Sequence, residues 1–254
     1  FQKGKTFFAM LNGTLTQNKI VSNNTRGRDE ELGIVQQTNY LNEDGAFNLN
    51  GFYHYGRSFK EKVYSINFMG GVGYNNNPSY SEGDLNLAKN WNLNQGIMFR
   101  YNPSENLEIN PGFRYSWNHT QNTLNDQSVV MQSYTPTLVG SVNIRPNLIF
   151  GADSSKNFYV GNAFNAHPFI IKTYIEQKFM KGNKASVRLQ AFDLLNEQTN
   201  ISRTVNAIQI SDSRTNRLGR YFMVLFTYKL SKFAGGIDMG DDNRGPGGMR
   251  RPRM

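Results

Sequence analysis

Apolar and polar residues alternate with a period of two along most of the chain, and a helical period is almost absent. In the segment 63–75, one face would carry Tyr64, Ile66, Phe68, Gly70, Val72 and Tyr74. The other face would carry Ser65, Asn67, Met69, Gly71, Gly73 and Asn75. Because successive side chains of a β-strand point to opposite faces, the pattern predicts a strand with one apolar and one polar face.

Similar runs predict about ten strands of roughly 9–14 residues, longer than the ~5–6 residues usual in soluble proteins. They cover residues 5–18, 46–57, 63–75, 88–101, 107–120, 133–144, 148–159, 168–180, 184–196 and 219–231. Pro111 and Pro136 fall in the apolar series of their strands. Since proline cannot donate a ladder hydrogen bond, we expect a bulge or a missing bond at each of them.

The connections between the predicted strands alternate between short and long. Short turns are predicted at 58–62, 102–106, 145–147 and 181–183, and longer loops near 19–44, 76–87, 121–132, 160–167 and 199–218. Within the first loop, "NEDG" is predicted to close a hairpin. Such alternation is typical of outer-membrane barrels, which have short periplasmic turns and long external loops.

The two faces of the predicted strands distinguish a membrane barrel from a soluble sandwich. Aromatic residues lie near the ends of several apolar series, as in the interfacial girdles of barrels; examples are Tyr64, Tyr74, Trp91, Tyr101 and Tyr134. The strands also have the ~9–11 residues that a tilted membrane strand needs. We therefore expect the apolar face to contact lipid and the polar face to line a wet lumen.

Composition agrees with this interpretation. Hydrophobic residues make up 38% of the 254 residues and the mean hydropathy is -0.59, low for a soluble sandwich. No apolar run reaches the ~18 residues of a membrane helix, and the absence of cysteine excludes disulfides and Cys-ligated metals. The charge of +9 is scattered, which disfavours nucleic acid and suits lipid phosphates.

The two ends of the chain differ from its middle. Residues 234–254 are rich in glycine, proline and charge, so we expect a solvated periplasmic tail after a barrel segment that covers residues 1–233. No signal peptide is visible at Phe1. We therefore expect a piece of a longer protein whose beginning is missing.

Two stretches resemble known strand motifs. "VRLQAFDLLNEQTN" (187–200) and "TNRLGRYFMVLFTYKL" (215–230) resemble the last two strands of TonB-dependent outer-membrane receptors. With "YLNEDGAFNLNGFYHYG" (40–56) and "VNIRPNLIFGAD" (142–153), the chain resembles the C-terminal half of this β-barrel family of Bacteroidetes. The resemblance implies an antiparallel up-and-down transmembrane barrel of roughly 22 strands around a plug, with about ten final strands in this chain.

The resemblance also implies a subcellular location, the bacterial outer membrane, and a set of partners. The partners are its lipid and lipopolysaccharide, the plug and remaining strands outside this chain, and also the TonB system and surface lipoproteins. The implied function is uptake of a large nutrient; the alternative is a structural or assembly subunit that scaffolds partner proteins.

The last predicted strand also resembles the membrane-insertion signal of such barrels. A glycine followed by alternating hydrophobic residues fits the signal, with a final aromatic residue before the tail; these residues are Gly219, Phe222, Val224, Phe226 and Phe233. The alternative is that Gly219 follows a loop and permits a tight turn.

Few residues suggest chemistry. His54, His119 and His167 are far apart, and no metal-binding, phosphate-binding or nucleophile motif has its required context, so we expect neither an enzyme nor a cofactor. We expect Asp193 and Asn196 to anchor a loop by hydrogen bonds. Five charged residues are predicted to contact the plug or line the lumen: Arg100, Arg114, Lys172, Glu176 and Arg188.

Overall fold

The computed structural model describes residues 4–124, 126–161, 167–198, 201–205, 210–214 and 218–230. The strands are β1 (Lys5–Thr16), β2 (Lys19–Asp29), β3 (Gly33–Glu43), β4 (Ala46–Phe59), β5 (Tyr64–Ser81), β6 (Asp84–Ser104), β7 (Leu107–Asn122), β8 (Gln127–Arg145), β9 (Leu148–Lys156), β10 (Phe158–Val160), β11 (Phe169–Phe179), β12 (Ala185–Phe192), β13 (Ile201–Val205), β14 (Ile210–Arg214) and β15 (Tyr221–Tyr228). One 3-10 turn, Lys60–Lys62, separates β4 from β5. None of the described helical segments has the length and apolar character needed to cross a membrane.

Ten strands form one continuous path in the order β1-β4-β5-β6-β7-β8-β9-β11-β12-β15, and each pairs antiparallel with the next. Strands β2, β3 and β10 join them in one 13-stranded sheet, and β13 and β14 form a separate pair. Within the described residues the sheet is open, because β1 and β15 each pair on one side only. The prediction of an all-β antiparallel architecture is confirmed.

The strand register places the predicted apolar series on a single face of the sheet. One row of directly paired residues crosses nine strands: Phe59, Tyr64, Tyr101, Ile109, Gly140, Ala152, Thr173, Ala191 and Phe222. We call the face that contains this row the apolar face, and the opposite face the polar face. The predicted apolar residues of these strands therefore all lie on the same face of the sheet.

The same row shows that the strands are staggered. The row begins at Phe59, the last residue of β4, beside a short turn. It ends at Phe222, near the first residue of β15 and away from the short turns. Strand β15 continues to Tyr228, which pairs with Ala185 beside a short turn. With ~3.3 Å per residue and ~4.8 Å between strands, this stagger inclines the strands by roughly 30°.

The sheet is a single layer with almost no buried apolar core. The buried apolar residues in the described part of the chain are Val21, Ala46, Ala185 and Ala191. Large apolar side chains are instead exposed, and Val224 of β15 keeps 70% of its surface accessible. Nothing in the described chain covers the apolar face.

Two of the predicted long loops are wrong. Residues 76–87 extend the β5–β6 hairpin, which turns at Glu82 and Gly83, both at positive φ. Most of residues 121–132 likewise extend β7 and β8. Asparagines occupy both faces at 75–77, and the apolar residues at 129–131 are consecutive, so the alternation lapses there while the ladder pairing continues.

The first long loop contains the predicted hairpin, but its turn is elsewhere. Strands β2 and β3 pair along their full length and turn at residues 30–32. Asp29 Oδ1 accepts hydrogen bonds from the backbone N–H groups of Glu31 and Leu32, both at 2.9 Å, and closes this turn. The "NEDG" sequence instead joins β3 to β4, and β13 and β14 lie inside the last predicted loop.

The prolines interrupt pairing without shifting the register. The β6–β7 ladder skips Phe99 and Arg100 opposite Asn110 and Pro111 and then resumes at Tyr101. On the other side of β8, Pro136 lies where the ladder with β9 ends and the ladder with β10 has not yet begun. At this gap Thr135 Oγ1 donates a hydrogen bond to Asn157 Oδ1 at 2.9 Å. The expected loss of ladder pairing therefore occurs at both prolines, and no bulge forms there.

Candidate functional site

A cleft of about 300 Å³ opens on the polar face where β7, β8, β9, β11 and β12 lie side by side. Its polar lining comprises Glu108, Asn110, Ser141, Asp153, Lys172, Tyr174, Arg188 and Gln190. The alternation of each strand places these side chains on one face, and the register brings the five strands together there.

Arg188 and Glu176 form the most closely packed ion pair of the cleft region. They are directly opposite in the β11–β12 register, and both Nε, at 2.9 Å, and Nη2 of Arg188 donate to Glu176 Oε2. The Arg188 guanidinium also lies 4.4 Å from the ring centroid of Tyr174. The ring of Tyr174 covers Gly151, where a Cβ atom would come within 2.2 Å of it. A side chain at position 151 would therefore displace this stack.

Two further pairs cross neighbouring strands of the polar face. Arg100 Nε lies 3.1 Å from Glu108 Oε1, and Lys172 Nζ lies 3.9 Å from Asp153 Oδ2. Asn110 Nδ2 also donates to Glu108 Oε1 at 3.0 Å. The buried Oδ1 of Asn110 has no hydrogen-bond partner within the described residues. Within the described residues, the cleft therefore contains one hydrogen-bond acceptor without a donor, Asn110 Oδ1, beside charged side chains that are paired with each other.

Arg114 is different from these paired residues. It lies on the polar face of β7, directly between Gly96 of β6 and Thr135 of β8. Its side chain is exposed and has neither an acidic partner nor a hydrogen bond to any residue that the structure describes.

Uncharged polar side chains cover the loop end of the same face. We call Asn90, Asn92, Asn118 and Thr120 the amide patch. Asn92 donates to Asn90 and Asn118 donates to Asn92, each at 2.5 Å. Asn90 donates to Thr120 Oγ1 at 2.7 Å. This network orients the amides across β6 and β7.

The five predicted lumen residues all share the polar face, and the sequence indicated this because each strand alternates. Four of them take part in the three ion pairs, and their partners Glu108 and Asp153 were not singled out from the sequence. The amide patch was also missed. Its signal was the repeated asparagine at alternate positions of 90–94 and at 118.

The predicted insertion-signal residues lie on or beside β15. Phe222, Val224 and Phe226 lie exposed on its apolar face, Gly219 precedes the strand, and Phe233 is outside the described residues. A Cβ atom at Gly219 would come within 2.2 Å of Asn196 Oδ1. That oxygen accepts a hydrogen bond from the backbone N–H of Arg220 at 2.9 Å. Gly219 thus allows a close contact that positions the start of β15.

Asp193 anchors the loop after β12, as expected. It is buried, and its two carboxylate oxygens accept hydrogen bonds from the backbone N–H groups of Glu197 and Gln198 at 3.1 and 3.0 Å. Asp193 and Asn196 both adopt positive φ, which ends the strand at Phe192.

Two of the three histidines take part in local hydrogen bonds. His119 Nε2 lies 2.8 Å from Ser128 Oγ, and His167 Nδ1 accepts a bond from the backbone N–H of Tyr159 at 3.2 Å. In the part of the chain that the structure describes, no three acidic or histidine side chains group as a metal site would require. Comparison with known proteins gave no family model and no curated protein that matches the chain.

Proposed function

We propose that the chain forms part of the wall of a transmembrane β-barrel in the bacterial outer membrane, with its apolar face against lipid. The observation that carries this proposal is a pair of aromatic belts on β5 and β6. Tyr64 pairs with Tyr101, and ten residues further along both strands Tyr74 pairs with Trp91. Ten residues span ~33 Å, or ~29 Å along the membrane normal at the inclination of roughly 30° described above, which is close to the ~25 Å apolar band of such barrels.

The belts have the chemistry of a membrane interface. The rings of Tyr64 and Tyr101 stack with centroids 5.1 Å apart, and Lys60 Nζ lies 5.7 Å from the Tyr64 ring. At the other belt, Tyr74 contacts Trp91 at 4.5 Å. Amphipathic rings and nearby cations concentrate at the headgroup level of membranes.

The exposure of the apolar face supports lipid as its solvent. Side chains between the belts, such as Phe68 and Ile97, are exposed, and so are Phe7 and Leu138 on other strands. A soluble monomer rarely exposes apolar patches larger than a few hundred Å². The stagger of roughly 30° is also close to the strand tilt of barrel walls.

Within this barrel, we propose uptake of a large nutrient by a TonB-dependent-receptor-like transport protein. The resemblance of 187–200 and 215–230 to the last strands of those receptors supports the proposal, and the polar face supplies a wet route. A plug and the other strands of a roughly 22-strand barrel would come from outside this chain. Energy would come from the TonB system.

One observation favours the alternative of a scaffolding subunit. The β2–β3 hairpin contacts the β5–β6 hairpin beyond the belt of Tyr74 and Trp91, and Glu82 of the β5–β6 turn accepts hydrogen bonds from the backbone N–H of Arg26. Its tip exposes Leu32 and Ile34, which a partner protein at the cell surface could cover.

Uptake can be tested in cells that produce the full-length protein and in cells that lack it. Both are given one hydrolysate of polysaccharide and protein, and mass spectrometry follows the depletion of solutes too large for general porins. We expect the producing cells alone to deplete at least one solute, and a protonophore to stop this. Equal depletion by both cell types would contradict uptake and leave the scaffolding alternative.

A further inference from the structure

We propose that the polar face of β6 and β7 binds a hydroxyl-rich ligand that carries a carboxylate, such as an oligosaccharide of sugar acids. Arg114 pairs with the carboxylate, and the amide patch binds the hydroxyl groups. The inference rests on the proposed function, because it requires the polar face to line an aqueous route.

The first argument is the charge of Arg114. Arg100, Lys172 and Arg188 each have an acidic partner on a neighbouring strand or along the same face. Arg114 has none among the described residues. An exposed guanidinium presents a planar fork of N–H donors, which matches a carboxylate in two parallel hydrogen bonds. The charge is therefore available to an anionic group of a ligand.

The second argument is the absence of acidic residues around Arg114. Its neighbours on the polar face are Gly96 and Thr135 in the same row, and Asn94 and Ser116 in the next row. All four are uncharged. A ligand carboxylate would therefore meet hydroxyl and amide groups beside the guanidinium and no like charge.

The third argument is the surface that continues from Arg114 towards the loops. Ser116, Asn118 and Thr120 follow on alternate positions of β7, and Asn94, Asn92 and Asn90 lie beside them on β6. This strip is ~20 Å long, enough for several sugar rings. Asn92 and Asn118 each donate one hydrogen bond within the amide patch, so each retains a second N–H donor for a ligand hydroxyl.

The fourth argument is the shape of the neighbouring strand. Gly71 and Gly73 of β5 lie on the polar face beside Asn94 and Asn92, so no side chain rises there. Beyond Gly71, Phe52 is 44% exposed on the same face. Its ring offers an apolar platform to the C–H face of a sugar, next to amides that bind the hydroxyls.

The test uses the full-length protein in detergent and two probes, trigalacturonate and neutral galactotriose, with binding measured by calorimetry. We expect the acidic trimer to bind about tenfold more tightly, the effect of one exposed charge-assisted contact. Arg114→Gln should remove this preference while galactotriose still binds, and Arg114→Lys should retain only part of it, because an ammonium group keeps the charge but lacks the planar fork. Asn118→Ala should weaken both probes. Arg57→Gln, on the apolar face, is the matched control and should change neither.

Two results would overturn the inference: no saturable binding of either trimer to the wild-type protein, or an acid preference that survives Arg114→Gln. All variants are first compared in thermal unfolding, so that a misfolded protein is not scored. If binding fails while spin labels show the lipid-facing pattern described at the end of the Discussion, only this inference falls. If that pattern is absent, the proposed function falls as well.

Discussion

Tyr74 lies against Trp91 of the neighbouring strand with ring centroids 4.5 Å apart, ten residues along both strands from the stacked pair Tyr64 and Tyr101. The residues between these pairs alternate between the apolar and polar faces. Half-way between the belts, Phe68 lies on the apolar face and Met69 on the polar face. These adjacent residues provide a matched comparison of the two surfaces.

Replacing Phe68 with Arg is expected to destabilise the full-length protein in lipid vesicles by ~2–4 kcal/mol, since a charge would enter the centre of the apolar band. Met69→Arg is the control, because both residues are apolar, adjacent and 37% exposed, and they lie on opposite faces. It should cost much less, since its charge meets water. Urea unfolding in vesicles measures both. Equal losses would show that the two faces share one solvent.

Replacing Gly151 with Ala is expected to destabilise the sheet by about 1–3 kcal/mol, because the new methyl group would overlap the Tyr174 ring. Gly13→Ala is the control, since its nearest neighbour would be an ordinary 3.6 Å away. Adding Tyr174→Ala should recover part of the loss, which a double-mutant cycle measures. A Gly151→Ala protein as stable as Gly13→Ala would contradict the packing described for Arg188.

The Gly219→Ala variant distinguishes two roles for this glycine: close packing against Asn196, and a part in the membrane-insertion signal. If close contact with Asn196 is its role, the purified variant loses about 1–3 kcal/mol of unfolding free energy, and the loss shrinks when Asn196→Ala is added. If the insertion signal is its role, the purified variant is as stable as wild type while less of it reaches the membrane in cells. The 2.2 Å approach leads us to expect the first result.

The contact between β3 of the β2–β3 hairpin and β5 is expected to depend on pH. Tyr80 OH donates to Glu43 Oε2 at 2.5 Å, and this hydrogen bond raises the pKa of Tyr80 above its ordinary value of 10.0. A group with a raised pKa stabilises the folded state below its ordinary pKa, and the contribution is lost as pH rises through the raised value. A spin label at Gln37→Cys should therefore become more mobile above pH ~10.

The control for this pH effect is Tyr80→Phe, which removes the titrating phenol. In that variant the label should already be mobile at neutral pH and should show no further change near pH ~10. A transition that persists in Tyr80→Phe would assign the pH dependence to another group.

Much of the sheet could be predicted because its information is local. The alternation in 63–75 identifies the strand and its two faces from neighbouring residues alone. It also places Arg114 and Arg188 on the polar face, since their positions in the alternation are unambiguous. Loss of ladder pairing at Pro111 follows from the missing N–H of proline.

The rest depends on register between strands that are distant in sequence. The pairing of Glu176 with Arg188 follows from the β11–β12 turn, and the contact of Gly219 with Asn196 follows from a loop conformation at positive φ. Neither leaves a periodic signal. Just beyond Tyr74, three consecutive asparagines of β5 occupy both faces, so alternation could not distinguish this stretch from a loop.

The central claim is that the apolar face contacts lipid. This chain has no cysteine, so once any cysteine elsewhere in the full-length protein is replaced by serine, single cysteines between the belts can each carry one spin label in vesicles. Accessibility to oxygen, which concentrates in lipid, is compared with accessibility to a water-soluble nickel chelate. The account predicts that Ile66, Phe68 and Val72 favour oxygen and that Asn67, Met69 and Gly71 do not. Labels that meet the chelate equally on both faces, or that show no period of two, would contradict it.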